Sequence, residues 1–176
     1  MTTDIVLTGA YSVSVNGPGT LNLDDSNGHS RVWEIYVIGP NHAYMLDTSA
    51  EVGVGELSPQ LDERQYSSAD ILGSYLLGSG EPLVPATTLT SGVTSFNGKS
   101  TMHGTEDLSE SGSMTAGLPL AGTYSVSSKS NNGRGTLTLT SPSGESFALW
   151  VGSNSEVLGV ETDPSNTQPV AIYFEQ

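Results

Sequence analysis

Leu120-Ala121-Gly122-Thr123-Tyr124-Ser125-Val126-Ser127 has a counterpart far upstream, Leu7-Thr8-Gly9-Ala10-Tyr11-Ser12-Val13-Ser14. The likeness continues outward from both. A glycine-containing turn follows each, and then Gly135-Thr136-Leu137-Thr138-Leu139 answers Gly19-Thr20-Leu21-Asn22-Leu23. The apolar run Phe147-Ala148-Leu149-Trp150-Val151 answers Trp33-Glu34-Ile35-Tyr36-Val37, and each block closes on a strand-like segment and a glutamine, Gln60 or Gln176. Self-similarity decides architecture before any single element does. Within it, Tyr11, Val13 and Val15 alternate with Ser12 and Ser14, which is the two-residue period of a half-buried strand.

Each block therefore reads as about five short antiparallel strands joined by hairpins. Asn16-Gly17-Pro18-Gly19, Asp24 to Gly28 and Gly39-Pro40-Asn41 turn the first block. Asn131-Asn132-Gly133, Ser141 to Gly144 and Asp163 to Asn166 turn the last. Glycine supplies positive φ in such turns and proline stops strand pairing. Ser58 to Asp70 is a polar joint, with room for one helical turn at Asp62-Glu63-Arg64. Between the blocks, Ile71 to Leu108 carries about three strands, a Gly- and Pro-rich loop over Gly78 to Pro85, and the hairpin signal Asn97-Gly98. Asp107 to Pro119 reads as a further polar loop, and no segment has helical periodicity.

The expected fold is all-β: an antiparallel up-and-down barrel or sandwich of about eight strands, plus the extra five-strand block. Eight strands joined in sequence suffice to close a small barrel, and closure removes exposed edges. The expected domains are a complete module over 66–176 and a partial one over 1–60. Residues 1 to about 118 can form the same barrel in permuted order, and a single sandwich using all the strands is the alternative. In either barrel one five-strand block lacks its three-strand partner. Pairing with a neighbouring subunit, head-to-tail as a filament or mutually as a dimer, would satisfy it.

The 176 residues include 21 glycines and 35% hydrophobic residues, and they carry 5 Lys or Arg against 19 Asp or Glu, a formal charge of −14. That balance argues against nucleic acid and anionic membrane surfaces as partners, since both need a basic patch. The absence of cysteine excludes disulfides, thiolate metal sites and a cysteine nucleophile. No stretch approaches the roughly 18 apolar residues of a spanning helix. Met1-Thr2-Thr3-Asp4 lacks the basic start of a signal peptide, so an exported form would carry its signal outside this chain.

The set Gly-x-Tyr-x-Val, Asn132-Gly133-Arg134-Gly135-Thr136-Leu137-Thr138-Leu139, an aromatic strand and a closing Gln resembles the β-rich tandem repeats of large secreted or surface proteins of soil bacteria such as Acidobacteria. Phe96-Asn97-Gly98 followed by Gly104-Thr105-Glu106-Asp107 fits the same pattern. The likeness covers most of the chain and implies an extracellular modular building block without catalytic residues. The chain is also similar, more weakly, to lipocalin and avidin barrels, which start on a Gly-x-aromatic strand. Tyr stands here where those barrels usually have Trp.

Candidate chemistry is sparse. His29, His42 and His103 have no second histidine at metal-ligand spacing. Gly28-His29-Ser30-Arg31-Val32 lacks the last glycine of a nucleophile elbow and precedes a strand. Asp24, Asp25 and Asn27, or Glu106, Asp107 and Glu110, offer oxygen ligands suited to calcium, but neither set matches a calcium-binding loop. No other cofactor is expected. Solvated acidic turns are the plainer reading. Tyr11, Trp33, Tyr36, Tyr75, Tyr124, Trp150 and Tyr173 are expected to serve packing or assembly. Glu34 interrupts an apolar strand, and Glu156 and Glu161 bracket another, so a carboxylate facing a barrel lumen would reopen an enzymatic reading.

These features lead to a non-enzymatic extracellular structural or adhesive module, self-associating as a filament subunit. A barrel that binds a small apolar ligand or a glycan is the alternative.

Overall fold

The computed structural model describes residues 6–40, 42–48, 53–60, 65–79, 88–127, 133–142, 144–163 and 170–176. It divides into two compact units, Met1–Pro59 and Gln60–Gln176. The first holds β1 (Leu7–Val13), β2 (Pro18–Asp25), β3 (Ser30–Gly39), β4 (His42–Asp47) and β5 (Val54–Leu57), one antiparallel five-stranded sheet in chain order. The second holds β6 (Leu72–Ser79), β7 (Thr88–Asn97), β8 (Thr101–Glu110), β9 (Ser113–Val126), β10 (Arg134–Ser141), β11 (Ser146–Ser153), β12 (Glu156–Glu161) and β13 (Ala171–Glu175). These eight strands close into a barrel when β13 pairs with β6. The permuted barrel and the single sandwich are not formed.

Closure follows from the side chains on one face of each strand. Tyr75, Phe96, Tyr124, Leu137, Leu149, Val157 and Phe174 all point inward and are almost fully buried. Phe96 is the hub: its ring centroid lies 5.4 Å from Tyr75, 5.1 Å from Tyr124 and 5.2 Å from Phe174, each nearly perpendicular. Edge-to-face contact is the favoured geometry for aromatic pairs. One end is plugged by buried Tyr66 and by a 3-10 turn, Ser68–Asp70. The Asp70 carboxylate accepts from both the amide and the hydroxyl of Ser67. Tyr124 donates its hydroxyl to the Ser68 and Ile71 carbonyls. Gln60 donates to the Val151 carbonyl at 2.7 Å, which puts it with the barrel rather than with the first block.

The only described helical turn is therefore Ser68–Asp70; Asp62 to Arg64 lie outside the described residues, as do most of Gly78 to Pro85. Asp107 to Pro119 is corrected from a loop to the two arms of a hairpin, β8 and β9. Ser111 and Gly112 both take positive φ, 49° and 84°, the geometry of a tight hairpin turn. Backbone pairing persists there although the side chains are polar. The register shifts once, between Glu106 and Leu108, and Asp107 accepts from the Gly117 amide.

The two five-strand blocks match pair for pair. Tyr11 faces Leu21 as Tyr124 faces Leu137, and Gly9 faces Leu23 as Gly122 faces Leu139. Ile35 faces Gly19 as Leu149 faces Gly135. A register shift follows Val37 in one block and Val151 in the other. Leu57 faces Ala43 as Phe174 faces Val157. Asp47-Thr48 and Glu161-Thr162 end matching strands, and each threonine gives its amide and its hydroxyl to one carbonyl, Val32 or Ser146. By this register Pro59, not Gln60, stands where Gln176 stands.

Candidate functional site

The surface that sets this molecule apart is the inner face of β1 to β5, the face that in the barrel is turned to the lumen. Its residues match lumen residues of β9 to β13 but are not covered. Tyr11 is 77% exposed and Tyr124 3%; Leu7 is 61% exposed and Leu120 2%. Val13, Val37 and Leu57 are likewise exposed, while Val126, Val151 and Phe174 are buried. Part of the face is closed over: Ile35, Ala43 and, at the end of β4, Asp47 are buried. Trp33 lies over Gly53 and Met45 reaches Gly55. The outer strands β1 and β5 present edges that no other strand of the sheet pairs. β1 (Leu-Thr-Gly-Ala-Tyr-Ser-Val) has neither charge nor proline to discourage a further strand.

Trp33 stands where the barrel has Phe147. Its indole N–H is buried without a hydrogen-bond partner among the described residues. Leaving a buried donor unsatisfied costs on the order of 1–3 kcal/mol.

The proposed packing residues separate into distinct environments. Tyr75 and Tyr124 meet in the barrel core, both on Phe96. Burial raises the pKa of both phenols. Trp150 and Tyr173 lie outside the barrel, partly exposed, and the Arg134 guanidinium sits 5.9 Å from the Trp150 ring. Tyr11 and Trp33 share the open face, both in register with Leu21, while Tyr36 is on the opposite face. There the Tyr36 hydroxyl donates to Glu34 at 3.0 Å, and that carboxylate raises the phenol's pKa. Ser12, Thr20, Glu34 and Tyr36 line a shallow polar hollow. Glu34 faces outward, as an ordinary strand residue would.

The acidic turn after β2 is closed by its own chain. Asp25 accepts from the amides of Asn27 and His29 at 2.8 and 2.9 Å and lies 2.8 Å from the His29 ring nitrogen. The His29 amide is the largest cause of its lowered pKa. Asp24 accepts from the Ser30 hydroxyl instead. The two carboxylates therefore do not converge on one point. No group of three or more His, Asp or Glu suited to a metal occurs among the described residues.

Two carboxylates face the lumen: Glu161, which the sequence reading names for that position, and Glu106, which it treats only as a calcium-ligand candidate. Glu106 and Glu161 are buried on inward positions of β8 and β12. Thr90 donates to Glu106 at 2.6 Å, and the Val170 amide donates to Glu161 at 3.2 Å. The strand period would have found Glu106, since it follows Met102 and Gly104 on one face. Thr90 belongs to the adjacent strand β7, and Val170 immediately precedes β13.

No known family, curated protein or solved structure matches the chain. Among the described residues, no helix is long and apolar enough to cross a membrane.

Proposed function

We propose that the protein is a non-enzymatic structural module of the extracellular or cell-surface kind, built as two versions of one duplicated block and acting by association. The eight-stranded barrel is the finished body, and the five-stranded sheet is the assembly surface. The observation that carries this reading is the pair Tyr11 and Tyr124: same register, 77% and 3% exposed. Exposed contiguous apolar surface on a soluble chain marks an interaction site. The extracellular setting is supported by the resemblance to bacterial surface repeats and by the charge of −14, which favours solubility at high local density. A lumen filled by Phe96 and its three aromatic neighbours favours this reading over a small-molecule carrier.

Light scattering over a concentration series, with negative-stain microscopy of the same samples, tests it. Oligomers or filaments that grow with concentration are expected. A monomer throughout, with the inner face of β1 still exposed, removes self-association as the function.

A further inference from the structure

We infer that the open sheet is completed by a three-stranded antiparallel meander of the β6–β8 pattern, brought by another polypeptide segment and not exchanged between identical copies. This rests on the reading of the sheet as an assembly surface. The occupant is identified by what covers the matching block in the same chain. There, β6 and β8 supply both missing edges: Leu77 faces Phe174 and Ser79 faces Ile172, while Met102 faces Gly122 and Gly104 faces Leu120.

Transferred through the matching registers, the occupant's first strand lies along β5, with its Leu77-like residue opposite Leu57. Its third strand lies along β1, with a Met102-like residue opposite Gly9 and a small residue opposite Leu7. Its middle strand carries an aromatic in the place of Phe96, which meets Tyr11 edge-on as Phe96 meets Tyr124 at 5.1 Å. The partner is thus a short β-meander whose covering face combines large apolar residues with glycine and threonine, as Leu77, Gly92, Thr94, Phe96 and Met102 do in the barrel. Main-chain pairing at an exposed edge supplies affinity, and pockets for alternate side chains supply selectivity.

Strand count excludes exchange as the source. Among its described residues, each chain has two five-strand acceptors and one three-strand donor, β6 to β8. If one copy lends its meander to another, it opens a barrel for every barrel it closes. Any number of identical copies is left with one open sheet each, so exchange gains nothing. A meander not already engaged is required.

The test joins residues 65–119 directly ahead of Leu7, in place of residues 1–6, so that the junction repeats the Pro119–Leu120 peptide. Residue-resolved tyrosine nitration and amide exchange are then compared with the unextended chain. Nitration of Tyr11 is expected to fall about tenfold or more, to the level of Tyr124, and the β1 and β5 amides to slow by a similar factor. Tyr11 as reactive as before, with Tyr124 protected, overturns the inference. Should Tyr124 itself become reactive, the extended chain is misfolded, and the same segment is instead joined ahead of Met1 of the full chain through a flexible Gly/Ser linker. Protection of Tyr11 then supports the inference, and Tyr11 as reactive as before with Tyr124 protected overturns it. The two readings fail separately. Association of the unextended chain without protection in either format removes only the meander; protection together with a strictly monomeric unextended chain removes only self-association.

Discussion

Tyr11 and Tyr124 stand in closely similar local sequences and each faces a leucine across the strand pair, yet one ring stands in solvent and the other is buried edge-on against Phe96. The five-strand block does not bury its own inner face. It forms its ladders without help, and Ile35 and Ala43 are covered at its centre. Burial of the flanks comes from three further strands that only one block has. Pairing is a local property of these sequences, whereas a core is a property of closure.

The sharpest way to break the comparison is to truncate both tyrosines. Tyr124→Ala is expected to cost about 3–5 kcal/mol in denaturant unfolding, because it opens a cavity beside Phe96. Tyr11→Ala should change stability by less than about 0.5 kcal/mol, the usual range for an exposed position. Equal losses would mean that Tyr11 is covered in solution.

A second test uses a volume exchange between the blocks. In the barrel Gly159 faces Ile172, and a Cβ on Gly159 would lie 2.7 Å from Ile172 Cγ1. In the open sheet Met45 faces Gly55, and a Cβ on Gly55 would lie 2.9 Å from the Met45 methyl. The bulk has moved to the other strand. Gly159→Met is expected to destabilise the barrel by about 1–3 kcal/mol through overpacking. Adding Ile172→Gly should recover part of that, with a coupling of about 1–2 kcal/mol in a double-mutant cycle. Additive losses would show that the matched pairs are not equivalent.

Smaller still, Trp33→Phe installs the residue of the matching barrel position and removes an unsatisfied donor. Its effect on stability should stay within about 1 kcal/mol, and a larger loss would reveal a partner for the indole.

The mildest probe is pH. The raised phenol pKa values of Tyr75 and Tyr124 mean that the folded barrel holds these protons more tightly than the unfolded chain. Their contribution is present below the ordinary value of 10.0 and is lost as pH rises through the folded values. An alkaline melt should therefore show the barrel losing stability as pH rises. Asp25 has the opposite sign: its pKa lies below 3.8, so its hold on the turn is kept above that pH and fades as pH falls through the lower folded value. The Asn27 and His29 amide shifts in an acid NMR titration should report a midpoint below 3.8.

Much of this architecture was legible in residue order. The alternation around Tyr11 and Tyr124 and the spacing of the glycine turns lead to antiparallel meanders, and the count of eight leads to a barrel. Two things were not legible. The Asp107 to Pro119 arms look like a loop because their side chains are polar, while the bonds that hold them belong to the backbone. The lumen position of Glu106 follows from the strand period through Met102 and Gly104, but a carboxylate there runs against hydrophobic patterning, and its hydrogen bond from Thr90 shows only in the structure. The open inner face follows from the surplus block, but the graded burial across it, from exposed Tyr11 to buried Ile35, does not follow from the alternation of residues.

The Met45–Gly55 and Gly159–Ile172 pairs also limit how the blocks can be recombined. A crossover between the fourth and fifth strands would set Met45 against Ile172 or leave Gly55 against Gly159, one chimera crowded and the other hollow. The smallest piece that can be shuffled between the blocks is therefore the terminal hairpin, moved whole.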